Sequence, residues 1–225
     1  VLIAASALFV AGAVMFTGCS KEDATAPVIT LKGTASVTSS LNAAYTDAGA
    51  TASDDKDGDL SSKITVSGWV DSNKDKAGTY TITYSVSDAA GNKGTATRTV
   101  IVRNDAYTWE GSYSASETDI NGPYTYKQNV TVTASSTINN QITMTRLGDF
   151  ANNTVYMNVV GTTVTMPSQT VTNVGTGSAT CDVHDRQSDG TGAKTTAGFD
   201  LTYNDAKKTP CTGSRNGVVA KFVKI

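Results

Sequence analysis

The run Asp54-Asp55-Lys56-Asp57-Gly58-Asp59 places four carboxylates in six consecutive positions. Oxygen ligands packed this densely suit a hard cation such as Ca2+, which takes about 6–8 of them. The spacing is not that of an EF-hand. Setting Gly58 at the obligatory loop glycine puts Ser53 and Asp55 on ligand positions but leaves Ile64 where a bidentate Glu is required. The run supports a looser Ca2+ site among Asp54, Asp55, Asp57 and Asp59, with a solvated turn as the plain alternative. Groups suited to catalysis are scarce. The single histidine, His184, lies in Cys181-Asp182-Val183-His184-Asp185. Its flanking carboxylates make it either part of a metal or acid–base site or an ordinary loop residue. Past the N-terminal segment the glutamates are Glu110 and Glu117, and no carboxylate pair stands out for glycoside hydrolysis. No Gly-x-Ser-x-Gly elbow occurs, nor a glycine loop between a strand and a helix. The residues argue against an enzyme and, Ca2+ apart, against a cofactor.

The first eighteen residues differ from all that follows. Val1 to Phe16 carries no charge, and Ser6 is its one polar side chain. The run stops at Phe16-Thr17-Gly18-Cys19 and gives way to Ser20-Lys21-Glu22-Asp23. A spanning helix needs about 20 apolar residues, whereas a secretory core needs roughly 7–15 followed by small residues. The small-small-Cys ending resembles the lipobox of bacterial lipoproteins. That resemblance implies a signal peptide over 1–18, lipid on Cys19, a tether over 19–26, and anchoring to a membrane. Two or more acyl chains make such anchoring stable. Ser20-Lys21-Glu22-Asp23 is similar to the acidic signal that sends Bacteroidetes lipoproteins to the outer face of the outer membrane; a solvated tether would also be polar. The chain opens at Val1 without a Met or a basic n-region, so a trimmed start is expected.

With Cys19 assigned to lipid, Cys181 and Cys211 remain as a pair in a compartment that permits disulfides. They form either a disulfide or two buried thiols. Four ligands at zinc spacing are absent from the sequence. Formal net charge is −2, from 18 Lys+Arg against 20 Asp+Glu, which gives no basic face for nucleic acid.

What remains is organised as strands. Gly78 to Ser87 alternates strictly, with Tyr80, Ile82, Tyr84 and Val86 on one face and Thr79, Thr81, Thr83 and Ser85 on the other. A period of two marks a half-buried antiparallel strand. Asp88-Ala-Ala-Gly-Asn92 supplies the turn, and Thr95 to Val102 returns as the partner. Gly49 and Gly58 fit turns that need positive φ. Five segments occur in order: Pro27-Val-Ile-Thr-Leu31, Tyr45-Thr-Asp-Ala-Gly-Ala50, Asp57-Gly-Asp-Leu60, Gly78 to Tyr84, and Asp88 to Asn92. Together they resemble the bacterial immunoglobulin-like domain of surface proteins and some pesticidal crystal proteins. The resemblance covers 27–103 and implies a small β-sandwich with a spacer role.

Asn104-Asp105-Ala106 is a short polar joint, beyond which the pattern does not recur. About eight alternating runs follow over 107–225, including Tyr124 to Val132, Val155 to Val159, Phe199-Leu201-Tyr203 and Val218 to Val223. Such spacing suits an antiparallel sandwich or barrel. Trp109-Glu-Gly-Ser-Tyr113, the meander and the apolar last strand resemble the lipocalin-like domain that follows an Ig-like domain in Bacteroidetes surface lipoproteins. That resemblance implies a link to outer-membrane glycan uptake complexes. Tyr107, Trp109, Tyr113, Tyr124, Tyr126 and Tyr156 are the aromatics that could stack on sugar rings, core packing being the plainer role. The expected protein is all-β: an Ig-like sandwich, then a lipocalin-like barrel that binds glycan or another extracellular ligand. The alternatives are an adhesive protein with a protein partner and, behind it, a hydrolase.

Overall fold

The computed structural model describes residues 22–119, 121–150, 153–174, 184–207 and 214–225. Cys19, Cys181 and Cys211 lie outside them.

Seven strands build the first unit. β1 (Val28–Leu31), β3 (Ala50–Asp54) and β4 (Gly58–Asp59) form one sheet. β2 (Ser36–Ser40), β7 (Lys93–Arg103), β6 (Gly78–Ser87) and β5 (Thr65–Ser67) form the other, in that order. The β6 alternation does what its period dictates: Ile82, Tyr84 and Val86 are buried while Thr79 and Thr81 face solvent. Ile82 and Tyr84 pack with Leu41, Val100 and Val102, and Val86 with Ala52 and Leu60. Trp69 closes this core from the side, edge-on to Tyr45 and Tyr80 with ring centroids 4.9 and 5.7 Å away. β2 runs parallel to β7, pairing Ser36 with Thr99 through Ser40 with Arg103.

The second unit is a closed antiparallel barrel. β8 (Gly111–Asp119), β9 (Gly122–Thr125), β10 (Val130–Ala134), β11 (Gln141–Thr145) and β12 (Thr154–Val160) lead into four long strands. These are β13 (Thr163–Val174), β14 (His184–Lys194), β15 (Gly198–Lys207) and β16 (Ser214–Lys224). From β10 onward each strand pairs with the next, and β16 returns to β8. β9 pairs with the second half of β8 and β10 with its first half, so the two act as one interrupted strand. Eight positions therefore close the ring, and closure leaves no edge to template aggregation.

An eight-stranded barrel is just wide enough for side chains to fill it, and this one is filled. Val130, Val132, Ile142, Met144, Val155, Met157, Val164, Leu201 and Ala220 are all buried within it. Phe199 stacks on Phe222 at 4.5 Å, and Tyr113 and Trp109 pack on Phe199 at 5.3 and 5.7 Å. This aromatic cluster plugs the end where the chain enters.

That end is fixed to the sandwich through asparagines. Asn104 Nδ2 donates to the carbonyls of Ser135, Ile138 and Gln141 at 2.8, 2.9 and 3.1 Å, and its Oδ1 accepts from Ala106 N and Asn140 N, both at 2.9 Å. Asn42, in the turn after β2, accepts from Asn139 N at 2.8 Å and donates to Thr137 O at 3.1 Å. Ala77 N donates to Ser136 O at 2.7 Å. The β10–β11 turn is thus clasped by the sandwich, and β8 carries its far end away at about 3.3 Å per residue.

Candidate functional site

The aromatics singled out by the sequence separate into two sets. Trp109, Tyr113 and Tyr126 are buried in the barrel core. Tyr113 donates its hydroxyl to Trp109 O at 2.6 Å, and no face of these rings is open to a sugar. Tyr107, Tyr124 and Tyr156 are exposed, at 40%, 40% and 38%. Tyr107 is covered by the Arg103 guanidinium, 3.6 Å above its ring. Among the six, Tyr124 alone lines a cleft of those described.

This cleft opens at the barrel end opposite the joint. It has a volume of about 350 Å3 and is lined by Glu117 and Asp119 of β8, the Asn121–Tyr124 turn, Gly148 and Arg215. Small-molecule sites span roughly 300–1,000 Å3. The segments joining β13 to β14 and β15 to β16, which carry Cys181 and Cys211, fall outside the described residues.

Local sequence explains how Arg215 comes to face it. Across the β15–β16 ladder Tyr203 pairs with Val218 and Asp205 with Arg215, so β16 holds one extra residue. Gly217 takes φ +62° inside this bulge. An extra residue flips the side to which the strand's residues point. Val218, Ala220 and Phe222 face the core, and the bulge turns Arg215 inward as well. Its Nη1 donates to Glu117 Oε1 at 2.5 Å, and Nη2 donates to Tyr203 Oη at 3.1 Å and Asp205 Oδ2 at 3.3 Å. Tyr126 and Tyr203 donate their hydroxyls to Glu117 Oε2 at 2.9 and 2.7 Å. Tyr126 Oη in turn accepts from Gly148 N at 2.7 Å.

The opposite wall is a strained loop. Arg146 and Asp149, neither a glycine, hold φ of 64° and 57°. Such non-glycine backbone costs of order 1–3 kcal/mol and persists only where its surroundings impose it. Here Arg146 pairs with Asp149 at 3.0 Å, and Asp149 Oδ2 accepts from Tyr124 Oη at 2.7 Å and Lys127 N at 3.1 Å. A Cβ on Gly148 would come within 2.6 Å of Arg215 and 2.9 Å of Phe150. The loop therefore sets both the orientation of Tyr124 and the depth of the cleft.

The electrostatics are those of a fixed scaffold. Burial works against the Arg215 cation, but Tyr203, Glu117 and Asp205 outweigh it and hold the guanidinium more firmly charged than usual. Burial, reinforced by Glu117, pushes the Tyr126 hydroxyl far above the ordinary tyrosine range; burial does the same at Tyr203, with Arg215 opposing it. At Asp149 burial raises the carboxyl, yet its bonds to Tyr124, Lys127 and Arg146 bring it below the usual value. Both Glu117 oxygens are engaged, and Asp119 accepts from Asn121 N at 2.7 Å. The cleft thus offers two carboxylates, one guanidinium, an amide and an aromatic face in fixed positions.

The other sequence candidates fall elsewhere. His184 is the first residue of β14, and its neighbours Cys181 to Val183 are outside the described residues. Glu110 accepts from Ala134 N at 3.0 Å, which is a structural bond. The four aspartates of the acidic run do not meet. Asp54 Oδ1 caps its own turn, accepting from Lys56 N and Asp57 N at 2.9 and 3.0 Å. Asp57 reaches away to Ala89 N at 2.5 Å, Asp59 binds Ser61, and Asp55 is exposed.

Sequence reading missed Arg215, Glu117 as its partner, and the Arg146–Asp149 loop. Arg215 follows a run of turn residues and precedes Gly217, so its direction depends on a bulge that period counting does not see.

With the architecture described, comparison with known proteins adds one assignment. Residues 29–102 match the family described as bacterial surface protein, Ig-like domain, and that match covers the first sandwich alone. No curated protein matches the chain. Among solved structures, the lipoprotein BT2262 from Bacteroides thetaiotaomicron is 15% identical; the alignment covers 87% of this chain and 100% of that one, with TM-score 0.34. A second, containing CBM51-2 in complex with GlcNAc and INT domains from Clostridium perfringens ZmpB, is 16% identical over 88% of this chain and 43% of its own, with TM-score 0.28. Similarity this low transfers nothing to the cleft. The molecule is an Ig-like sandwich, whose residues match that surface-protein family, followed by an eight-stranded antiparallel closed barrel.

Proposed function

We propose that this is a lipid-anchored, non-catalytic protein of the bacterial cell surface that binds carbohydrate in the cleft at the distal end of its barrel. The cleft itself carries the reading: in a barrel whose interior is filled by the described core residues, it is an opening lined by planar polar groups beside an exposed aromatic ring. Carboxylates, amides and guanidinium bind vicinal hydroxyls in pairs, and an aromatic face packs on the apolar side of a pyranose. Glu117 and Asp119 against Arg215 leave the lining acidic, which favours neutral or amine-bearing sugars over sulfated or uronic ones. The Ig-like domain, clasped to the barrel, serves as a spacer above a lipid on Cys19, and a glycan uptake complex of the outer membrane is the natural setting.

The Cys19→Ala variant tests both halves. It is expected to leave the membrane fraction, and the soluble protein is then applied to a glycan array. Binding to neutral glycans is expected. Aromatic contacts contribute about 0.5–1.5 kcal/mol beyond their area, so adding Tyr124→Ala should weaken it by about tenfold. Retention of Cys19→Ala in membranes sinks the anchor. Silence across all polysaccharides, with capture of a protein partner instead, favours an adhesive role.

A further inference from the structure

Away from the barrel, three carboxylates meet at the base of the sandwich. Asp23 lies in the extended segment before β1, Asp54 ends β3 and Asp88 follows β6. One carboxylate oxygen from each lies within 4.8 Å of the other two. Three negative charges at this separation repel strongly, and the half-exposed Lys56 ammonium lies 3.7 Å from Asp23.

Asp54 carries the unsatisfied atom of this cluster. Asp54 is 8% exposed, and its Oδ1 is held by two backbone N–H groups. Its Oδ2 is buried and has no hydrogen-bond partner. A buried carboxylate oxygen without a donor is costly, more so beside two further carboxylates. The framework is preset: Asp88, also 8% exposed, is gripped by Asn92 N and Nδ2, both at 2.8 Å. The same Asn92 Nδ2 donates to Asp23 O at 3.0 Å and so brings the tether to the site.

We propose that Asp23, Asp54 and Asp88 bind one Ca2+ ion, which pins the segment following the lipid attachment site to the base of the Ig-like domain. Ca2+ takes about 6–8 oxygens in flexible geometry, so three carboxylates with bound water suffice, whereas Mg2+ needs near-ideal octahedral geometry and dehydrates reluctantly. The site uses one residue of the acidic run and two from distant segments. It does not depend on the cleft or its ligand.

The test is calorimetric titration of the full chain, stripped of divalent ions, with CaCl2 and separately with MgCl2, alongside thermal melting. One Ca2+ per chain is expected, with Kd of about 10⁻⁴–10⁻³ M as in extracellular modules, and a saturable rise in melting temperature. Asp54→Asn should abolish binding. Asp23→Asn should weaken it at least about tenfold without altering the fold in the absence of the ion, because Asp23 belongs to no strand. Asp55→Asn should bind as the parent does. Absence of Ca2+ binding at about 10 mM, ten times the weakest expected Kd, overturns the proposal. So does parental affinity in Asp23→Asn, or Mg2+ binding as tight as Ca2+.

Discussion

Arg98 and Arg215 are both turned into β structure, and each is ringed by acceptors. Arg98 is 1% exposed, bonded to Asp47, Tyr84 Oη, Lys32 O and Thr34 O. Tyr84 also donates to Asp47 at 2.6 Å. Removing one partner of such a pair costs about 3–5 kcal/mol, because the other is left uncompensated. The pH response follows from Asp47. Burial raises its carboxyl, but Tyr84, Arg98 and Gly49 N together hold it below the usual aspartate value. A carboxyl depressed in the folded state contributes stability that is complete above its unfolded pKa, about 3.9, and is lost as pH falls through the folded value. The melting temperature should therefore fall as pH drops below about 4. Asp47→Asn should be less stable at neutral pH and show a shallower acid slope; an unchanged slope would remove Asp47 from this role. The sequence shows Arg98 only as a polar residue in an alternating strand, since nothing local reveals which carbonyls surround it.

Element by element, legibility tracks the apolar period. β6, β12 and β15 announce themselves, because Ile82, Tyr84, Val155, Met157, Phe199 and Leu201 fall on one face at every second residue. β14 does not. Its inward positions include Ser188, Gly190 and Gly192, opposite Asp205, Tyr203 and Leu201. A Cβ on Gly192 would fall 1.9 Å from Asp200 O, so close strand approach replaces side-chain volume there. The glycines and polar residues of this strand carry no periodic signal in the sequence. The acidic run was visible for its charge, but its geometry depends on which segments fold beside it. The bulge at Gly217 is the element on which the cleft depends. Gly217→Val forces a branched side chain into φ +62°, at a cost of at least about 1–2 kcal/mol. The denaturation midpoint should fall, and glycan binding should weaken more than stability alone explains, because Arg215 is re-aimed. Unchanged affinity in a folded variant would separate the bulge from the cleft.

At the scale of the whole molecule, the clasp around the β10–β11 turn decides whether the sandwich positions the barrel or merely trails it. Asn104 is 2% exposed and makes four hydrogen bonds to the β10–β11 turn and a fifth to Ala106 N within the joint. Asn104→Ala leaves those buried groups unpaired, at about 1–3 kcal/mol each where water does not reach them. NMR relaxation should give one correlation time for both units in the parent and two in the variant; two in the parent would contradict a rigid spacer. With the joint at one end and the cleft at the other, the proposed binding face would point away from the proposed lipid anchor. The most direct test of this account is the crystal structure of the chain soaked with the tightest-binding neutral glycan from the array. The account predicts a sugar ring packed on Tyr124, with hydroxyls bonded to Asp119, Asn121 and Arg215. A sugar bound elsewhere, with this cleft empty, would contradict it.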